Sequence, residues 1–147
     1  MNDVRNRWQW SAVILTGLLA IGCGKGSDSP ATYAVHGTAT YQNKPMQDAR
    51  ITLVPISGPA KEKNALPRGT VDEQGNFTLS TYTAGDGAPA GNYKVVILWP
   101  KDASGVTISP NESNDRLGDR YSNVIKSTIE VTIEAKDDNT LPPIELR

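Results

Sequence analysis

The sequence predicts an all-β protein, a single antiparallel β-sandwich of about seven strands. Three observations predict it. Apolar and polar residues alternate with period two in several short runs. Turn-forming residues separate those runs, with 13 Gly and 10 Pro among 147 residues. No stretch keeps helical periodicity beyond two turns. The plainest strand is "TIEVTIEA", where Ile129, Val131, Ile133 and Ala135 face one way and Thr128, Glu130, Thr132 and Glu134 the other.

The other elements follow in order. "YAVHGTATYQ" is a first strand, and "ARITLVPI" a second in which Pro55 needs an edge or a bulge, because it donates no ladder hydrogen bond. "PRGTV" makes a further strand. "VDEQGNF" is a tight hairpin with Gly75 suited to positive φ, leading into "NFTLSTY" with Phe77 and Leu79 inward. "YKVVILW" is apolar on both faces and belongs mid-sheet or under a covering loop, and "PPIELR" is a short last strand. The expected core is Val35, Ile51, Leu53, Phe77, Leu79, Val95, Ile97, Ile129, Val131 and Ile133. The length fits one domain. A net charge of -1 with 21% charged residues gives no broad field for nucleic acid or anionic lipid. A single Cys excludes an internal disulfide and leaves no set of thiols for zinc.

That cysteine, Cys23, ends the apolar stretch "GLLAIGC". Arg5 and Arg7 stand against Asp3 at the N-terminus, and "WQWSAVILTGLLAIG" follows with no charge until Lys25. A basic n-region before an apolar h-region of this size reads as a secretory signal. It is short for a stable membrane span, which needs ~20 mostly apolar residues. "AIGC" resembles the bacterial lipobox, in which a small residue precedes a Cys that is lipidated and becomes the mature N-terminus. Ala20 stands where that motif usually has Leu. The resemblance implies a signal peptide at 1–22, palmitate-type acylation of Cys23, and attachment to the membrane of a bacterial cell envelope. Gly24, where an Asp would suggest retention in the inner membrane, points to the outer one. Acyl chains contribute ~0.8 kcal/mol per buried CH₂, so several on one residue hold firmly. "GKGSDSPAT" completes a lipidated, flexible tether over 23–32. The domain proper is expected at 33–147.

"VHGTATYQNKPMQDARITLVPI", "RGTVDEQGNFTLSTY" and "GAPAGNYKVVI" together resemble the carboxypeptidase regulatory-like, or transthyretin-related, domain. The matching residues are Val35, Gly37, Lys44, Pro45, Ala49, Thr70, Asp72, Gly75, Phe77, Pro89, Gly91 and Tyr93. The chain departs from the pattern at Asn43, where Gly is common, and at Val71. The resemblance implies a transthyretin-like (prealbumin-like) sandwich and hardly any chemistry, since each motif is a turn-and-strand device. In physical terms, Pro45 presets φ at a turn, and Gly75 and Gly91 permit positive φ.

Catalysis finds little support. His36 is the only histidine and sits on an alternating strand beside Thr38 and Thr40. A serine triad would have to use it, and no G-x-S-x-G elbow is present. Asp72, Glu73 and Asp86 lie in turns that need such residues anyway, without the spacing of a calcium loop. The purine-pathway hydrolases related to transthyretin carry several histidines and a Tyr-Arg-Gly-Ser ending, whereas this chain ends "PPIELR". No enzyme activity, metal or other cofactor is expected. Two function classes remain. One is a non-catalytic, lipid-anchored envelope module, structural or protein-binding. The other is a carbohydrate-binding module, for which Trp99 and Tyr82 are the candidate sugar contacts, with Tyr93 and Tyr121 as companions. Finally, residues 101–123 form a segment longer than the ~12–15 beyond which structureless loops are uncommon. Its first part is polar. "DRLGDRY" could make one helical turn capped by Ser113 or Asn114, with Leu117 and Tyr121 packing on the sandwich. Arg116 and Arg120 would then be candidates for a partner or anion contact.

Overall fold

The computed structural model describes residues 29–102 and 114–147, so Cys23, the segment 1–22, most of the tether and the polar stretch 103–113 lie outside the described residues. The described chain forms β1 (Thr32–Tyr41), β2 (Lys44–Pro45), β3 (Arg50–Pro55), a single turn of helix α1 (Pro59–Glu62), β4 (Arg68–Thr70), β5 (Asn76–Thr78), β6 (Ala88–Pro89), β7 (Gly91–Leu98), β8 (Glu130–Ile133), β9 (Asp138–Thr140) and β10 (Ile144–Leu146). Ten β-segments therefore stand where about seven were expected, the surplus being pieces of two or three residues.

These segments make two open sheets. One is antiparallel throughout, in the order β4-β3-β7-β8. The other is built around β1, whose residues pair on both flanks: His36, for example, pairs with both Thr78 of β5 and Thr140 of β9. Its partners β2, β5 and β6 are antiparallel to β1, but β9 and β10 are parallel to it. This corrects the expectation of a wholly antiparallel sandwich. The cause lies in the crossover after β8. β8 runs antiparallel to β7 and ends opposite Gly91, so the chain passes into the other sheet and returns alongside β1. Asn139, only 4% exposed, fastens that corner. Its Oδ1 accepts from the Glu134 N–H at 2.9 Å and its Nδ2 donates to the Glu134 carbonyl at 3.2 Å.

The two sheets share one apolar cluster, which includes nine of the ten expected core residues. Ile129 is only partly buried, because it precedes β8, and Ala135 is exposed, because the strand ends at Ile133. β7 lies mid-sheet as its two apolar faces require. Pro55 closes β3 beyond the last rung with β4. Leu53 directs its N–H to Pro67, so the nitrogen of Pro55, two residues on, points to the same side where no strand follows.

Two corners show which sequence signals were structural. The β1–β2 hairpin turns through Gln42 and Asn43 at φ 50° and 62°, so Asn supplies the left-handed conformation and Pro45 falls within β2, past the turn. Tyr93 is fully buried and its hydroxyl donates to the Pro89 carbonyl at 2.6 Å, locking the bend from β6 into β7. Burial and the nearby Tyr82 push the Tyr93 phenol up to about 12.

β1 defines the long axis. At ~3.3 Å per residue its ten residues span roughly 30 Å. The described chain enters at Thr32, and Tyr41, Trp99 and the 115–121 turn lie together at the other end.

Candidate functional site

The far end of the sandwich is organised by a carboxylate. Asp115 is 2% exposed and accepts backbone N–H bonds from Trp99 at 2.9 Å, Leu117 at 3.3 Å and Asp119 at 2.9 Å. It pairs with Pro100 in a short bridge that joins the described chain on either side of 103–113. This arrangement replaces the expected helical turn and its Asn114 cap; Ser113, the other cap weighed, lies outside the described residues. Gly118 and Asp119 both take positive φ, 62° and 61°, which a helix excludes. Leu117 is nonetheless buried and Tyr121 half-buried, both against the core, so the segment plugs the open end as expected.

The two arginines of that turn face their own backbone. Arg116 donates from Nε to the Pro100 carbonyl at 3.0 Å and from an Nη to Lys101 at 3.1 Å, with its guanidinium 5.2 Å from the Trp99 ring centroid. Arg120 donates to the carbonyls of Leu117 at 3.2 Å and Arg147 at 3.3 Å, and lies 5.8 Å from the Tyr121 ring centroid. Both are exposed in part, yet each is held as a staple with a cation–π contact. Trp99 is similarly occupied. Its indole N–H donates to the Gln47 carbonyl at 2.8 Å, Tyr41 meets it edge-on at 5.8 Å, and Arg116 covers it. That packing suits a sheet-end plug better than a flat sugar platform.

Tyr82 stands elsewhere. It is 45% exposed on the wall of a groove of about 700 Å³, whose described lining does not include Trp99. The groove runs from Lys63 and Asn64, after α1, past Arg68 to the 80–84 turn. A second depression of about 460 Å³ continues from it along β3, β4 and β5, sharing Arg68 and Ser80 and adding Arg50, Thr52, Thr70 and Thr78. The two form one furrow. Antiparallel register explains its lining: Thr52 faces Arg68, Arg50 faces Thr70, and Arg68 bridges to Ser80. These residues share the outer face because Ile51 and Leu53 take the inner one. At Gly69, β4 nearly touches β5, since a Cβ there would lie 2.5 Å from the Thr78 carbonyl oxygen.

The 80–87 turn that carries Tyr82 is built by Asp86. Its carboxylate accepts from the N–H groups of Thr81, Tyr82 and Thr83 at 2.6, 2.9 and 3.0 Å. Desolvation raises its pKa, but those bonds and its own N–H outweigh the burial and hold the group below the ordinary carboxylate range. Asp72 plays the same part in its hairpin, accepting from Gln74 and Asn76 N–H at 2.9 and 2.8 Å. Of the acidic residues weighed as calcium ligands, Asp72 and Asp86 thus serve as turn builders, and among the described residues no three metal-ligating side chains converge. His36 Nε2 lies 2.9 Å from Asp138 Oδ1 across the β1–β9 pair, with both side chains about half exposed. Among the described residues no helix is long and apolar enough to cross a membrane.

Sequence reasoning reached Tyr82 but not the cations beside it. The alternation in "ARITLVPI" and "PRGTV" does turn Arg50 and Arg68 outward. What brings them together is the β3–β4 register and the Arg68–Ser80 bridge, which no local pattern encodes. No family model matches the chain, and neither the curated proteins nor the solved structures contain a match to it.

Proposed function

We propose that this protein is a non-catalytic, lipid-anchored module of a bacterial cell envelope, acting by contact through a β-sandwich of the carboxypeptidase regulatory-like, transthyretin-related type. The observation that carries the reading is the path from Cys23 into the fold. Only the Gly/Ser/Pro-rich residues 24–31 separate the lipobox-like cysteine from the first residue of β1. An acylated Cys23 would therefore set the Thr32 end against the outer membrane and display the flank and far end of the domain, roughly 30 Å away along β1. The way the polar side chains are used supports a scaffold. Asp72, Asp86, Asp115, Arg116 and Arg120 all bond the chain's own backbone.

Contact with another envelope protein is the first form of this function. Contact with a glycan is the second, favoured by the exposed Tyr82 in a polar groove of ligand-like size. Crosslinking in intact cells, with photoreactive residues at Tyr82 and at Arg116, tests the reading. Discrete adducts of protein or wall glycan are expected at one of these positions and not at the exposed Ile56, which lines neither the groove nor the 115–121 turn. Equal, diffuse labelling at all three would contradict it.

A further inference from the structure

The furrow along β3, β4 and β5 carries a charge pattern that folding alone does not reward. Arg50 and Arg68 are diagonal neighbours on one face, and Lys63 lies further along the same depression. Diagonal cross-strand positions are ~7–8 Å apart, within reach of long side chains, and like charges there oppose each other. None of the described residues lining the furrow is acidic. Among the described residues no ion pair engages either arginine; Arg68 spends only its Nε, at 3.4 Å, on the Leu66 carbonyl. Between these cations lie small hydroxyls, among them Thr70, Thr78 and Ser80, and at one end the Tyr82 ring. Asp86 has already fixed the backbone of that tyrosine, so presenting the ring to a ligand costs little ordering.

We propose that this furrow binds an acidic polysaccharide. Carboxylates along the glycan pair with Arg50 and Arg68, turning their mutual repulsion into attraction. One sugar ring lies on Tyr82, and the threonine and serine hydroxyls exchange hydrogen bonds with sugar hydroxyls. The furrow is an open track instead of a closed pocket, which suits a segment of polymer. A DNA backbone or an inorganic polyphosphate would use the cations too, but its oxygens only accept from the hydroxyl row, whereas sugar hydroxyls both donate and accept. The proposal names a ligand for the contact reading, yet it stands on the furrow and not on the anchor.

The test is calorimetric titration of the full chain in detergent micelles with oligogalacturonate. Neutral oligogalactan, polyphosphate and a single-stranded oligodeoxynucleotide are the parallel arms. Oligogalacturonate should bind more tightly than each of the others, and more weakly as salt rises. The double variant Arg50→Gln/Arg68→Gln should weaken it about tenfold or more. Tyr82→Ala should weaken it severalfold while leaving the salt dependence unchanged, and Lys44→Gln, at an exposed cation outside the furrow, should leave it as it is. All these positions are exposed, and thermal melts confirm that the variants fold. If a variant does not fold, the ranking of the four probes on the unaltered chain still decides. The proposal is overturned if oligogalacturonate does not bind at millimolar concentration, or binds no better than neutral oligogalactan. It is overturned equally if polyphosphate or the oligonucleotide binds as tightly, or if the arginine variant binds undiminished. None of those results bears on Cys23, whose acylation is measured separately.

Discussion

Replacing Asp115 is the sharpest perturbation of the far end of the fold. Its carboxylate satisfies three backbone donors, from Trp99, Leu117 and Asp119, in a site only 2% exposed. A hydrogen bond to a charged acceptor contributes about 1.5–3 kcal/mol, and two of these three are short. They are not additive, and water can reach part of the turn once the side chain shrinks. Asp115→Ala should therefore cost about 3–5 kcal/mol, a large share of the ~5–15 kcal/mol that holds a domain together. Asp115→Asn keeps one acceptor oxygen but turns an amide N–H towards backbone N–H groups, for a loss of about 2 kcal/mol. Urea unfolding followed by far-UV circular dichroism measures both, with the slope checked for constancy. If the two variants match and both lose less than about 1 kcal/mol, the turn is not built on this carboxylate.

The core register, the buried phenol and the Tyr82 turn give three further tests. Phe77→Ala should cost about 3–5 kcal/mol by urea unfolding. Gly37→Ala should destabilise through the same ring, since a Cβ there would lie 2.7 Å from it; full stability in either variant contradicts the packing. Tyr93 titrates at about 12 when folded and near 10 when unfolded, so its contribution is intact below pH 10 and is lost as pH rises from 10 to 12. Absorbance at 295 nm should show one late-ionising tyrosine, absent in Tyr93→Phe. For Asp86, whose folded pKa is depressed, the contribution is present above about pH 4 and lost as pH falls through the folded value. Acid should thus loosen the 80–87 turn before the core, seen as early amide exchange at Thr81–Thr83 that Asp86→Asn shows even at neutral pH.

What the sequence disclosed was what short-range patterning encodes. Period-two alternation put Phe77, Leu79, Val131 and Ile133 in the core, and Gly75 at φ 88° closes the hairpin its composition announces. The parallel placement of β9 and β10 depends on a crossover at Glu134 and Asn139, and a three-residue strand, "DNT", has no apolar alternation to reveal it. The turn at 115–121 reads as a helix start because Asp, Asn and Ser cap helices. The same chemistry also builds non-helical turns, and here successive positive φ values at Gly118 and Asp119 decide the matter. Gly37 needs its missing side chain because Phe77 lies against it, a contact between strands forty residues apart. The furrow is the least legible feature, since it exists only once β3, β4 and β5 are set side by side.

The central claim is that a lipid on Cys23 delivers this sandwich to the envelope. Mass spectrometry of the protein isolated from the outer-membrane fraction of its own cells tests it most directly. The account predicts an N-terminal peptide beginning at Cys23, carrying acyl chains, with residues 1–22 absent. A protein found with Met1 intact, or with Cys23 unmodified, would contradict it.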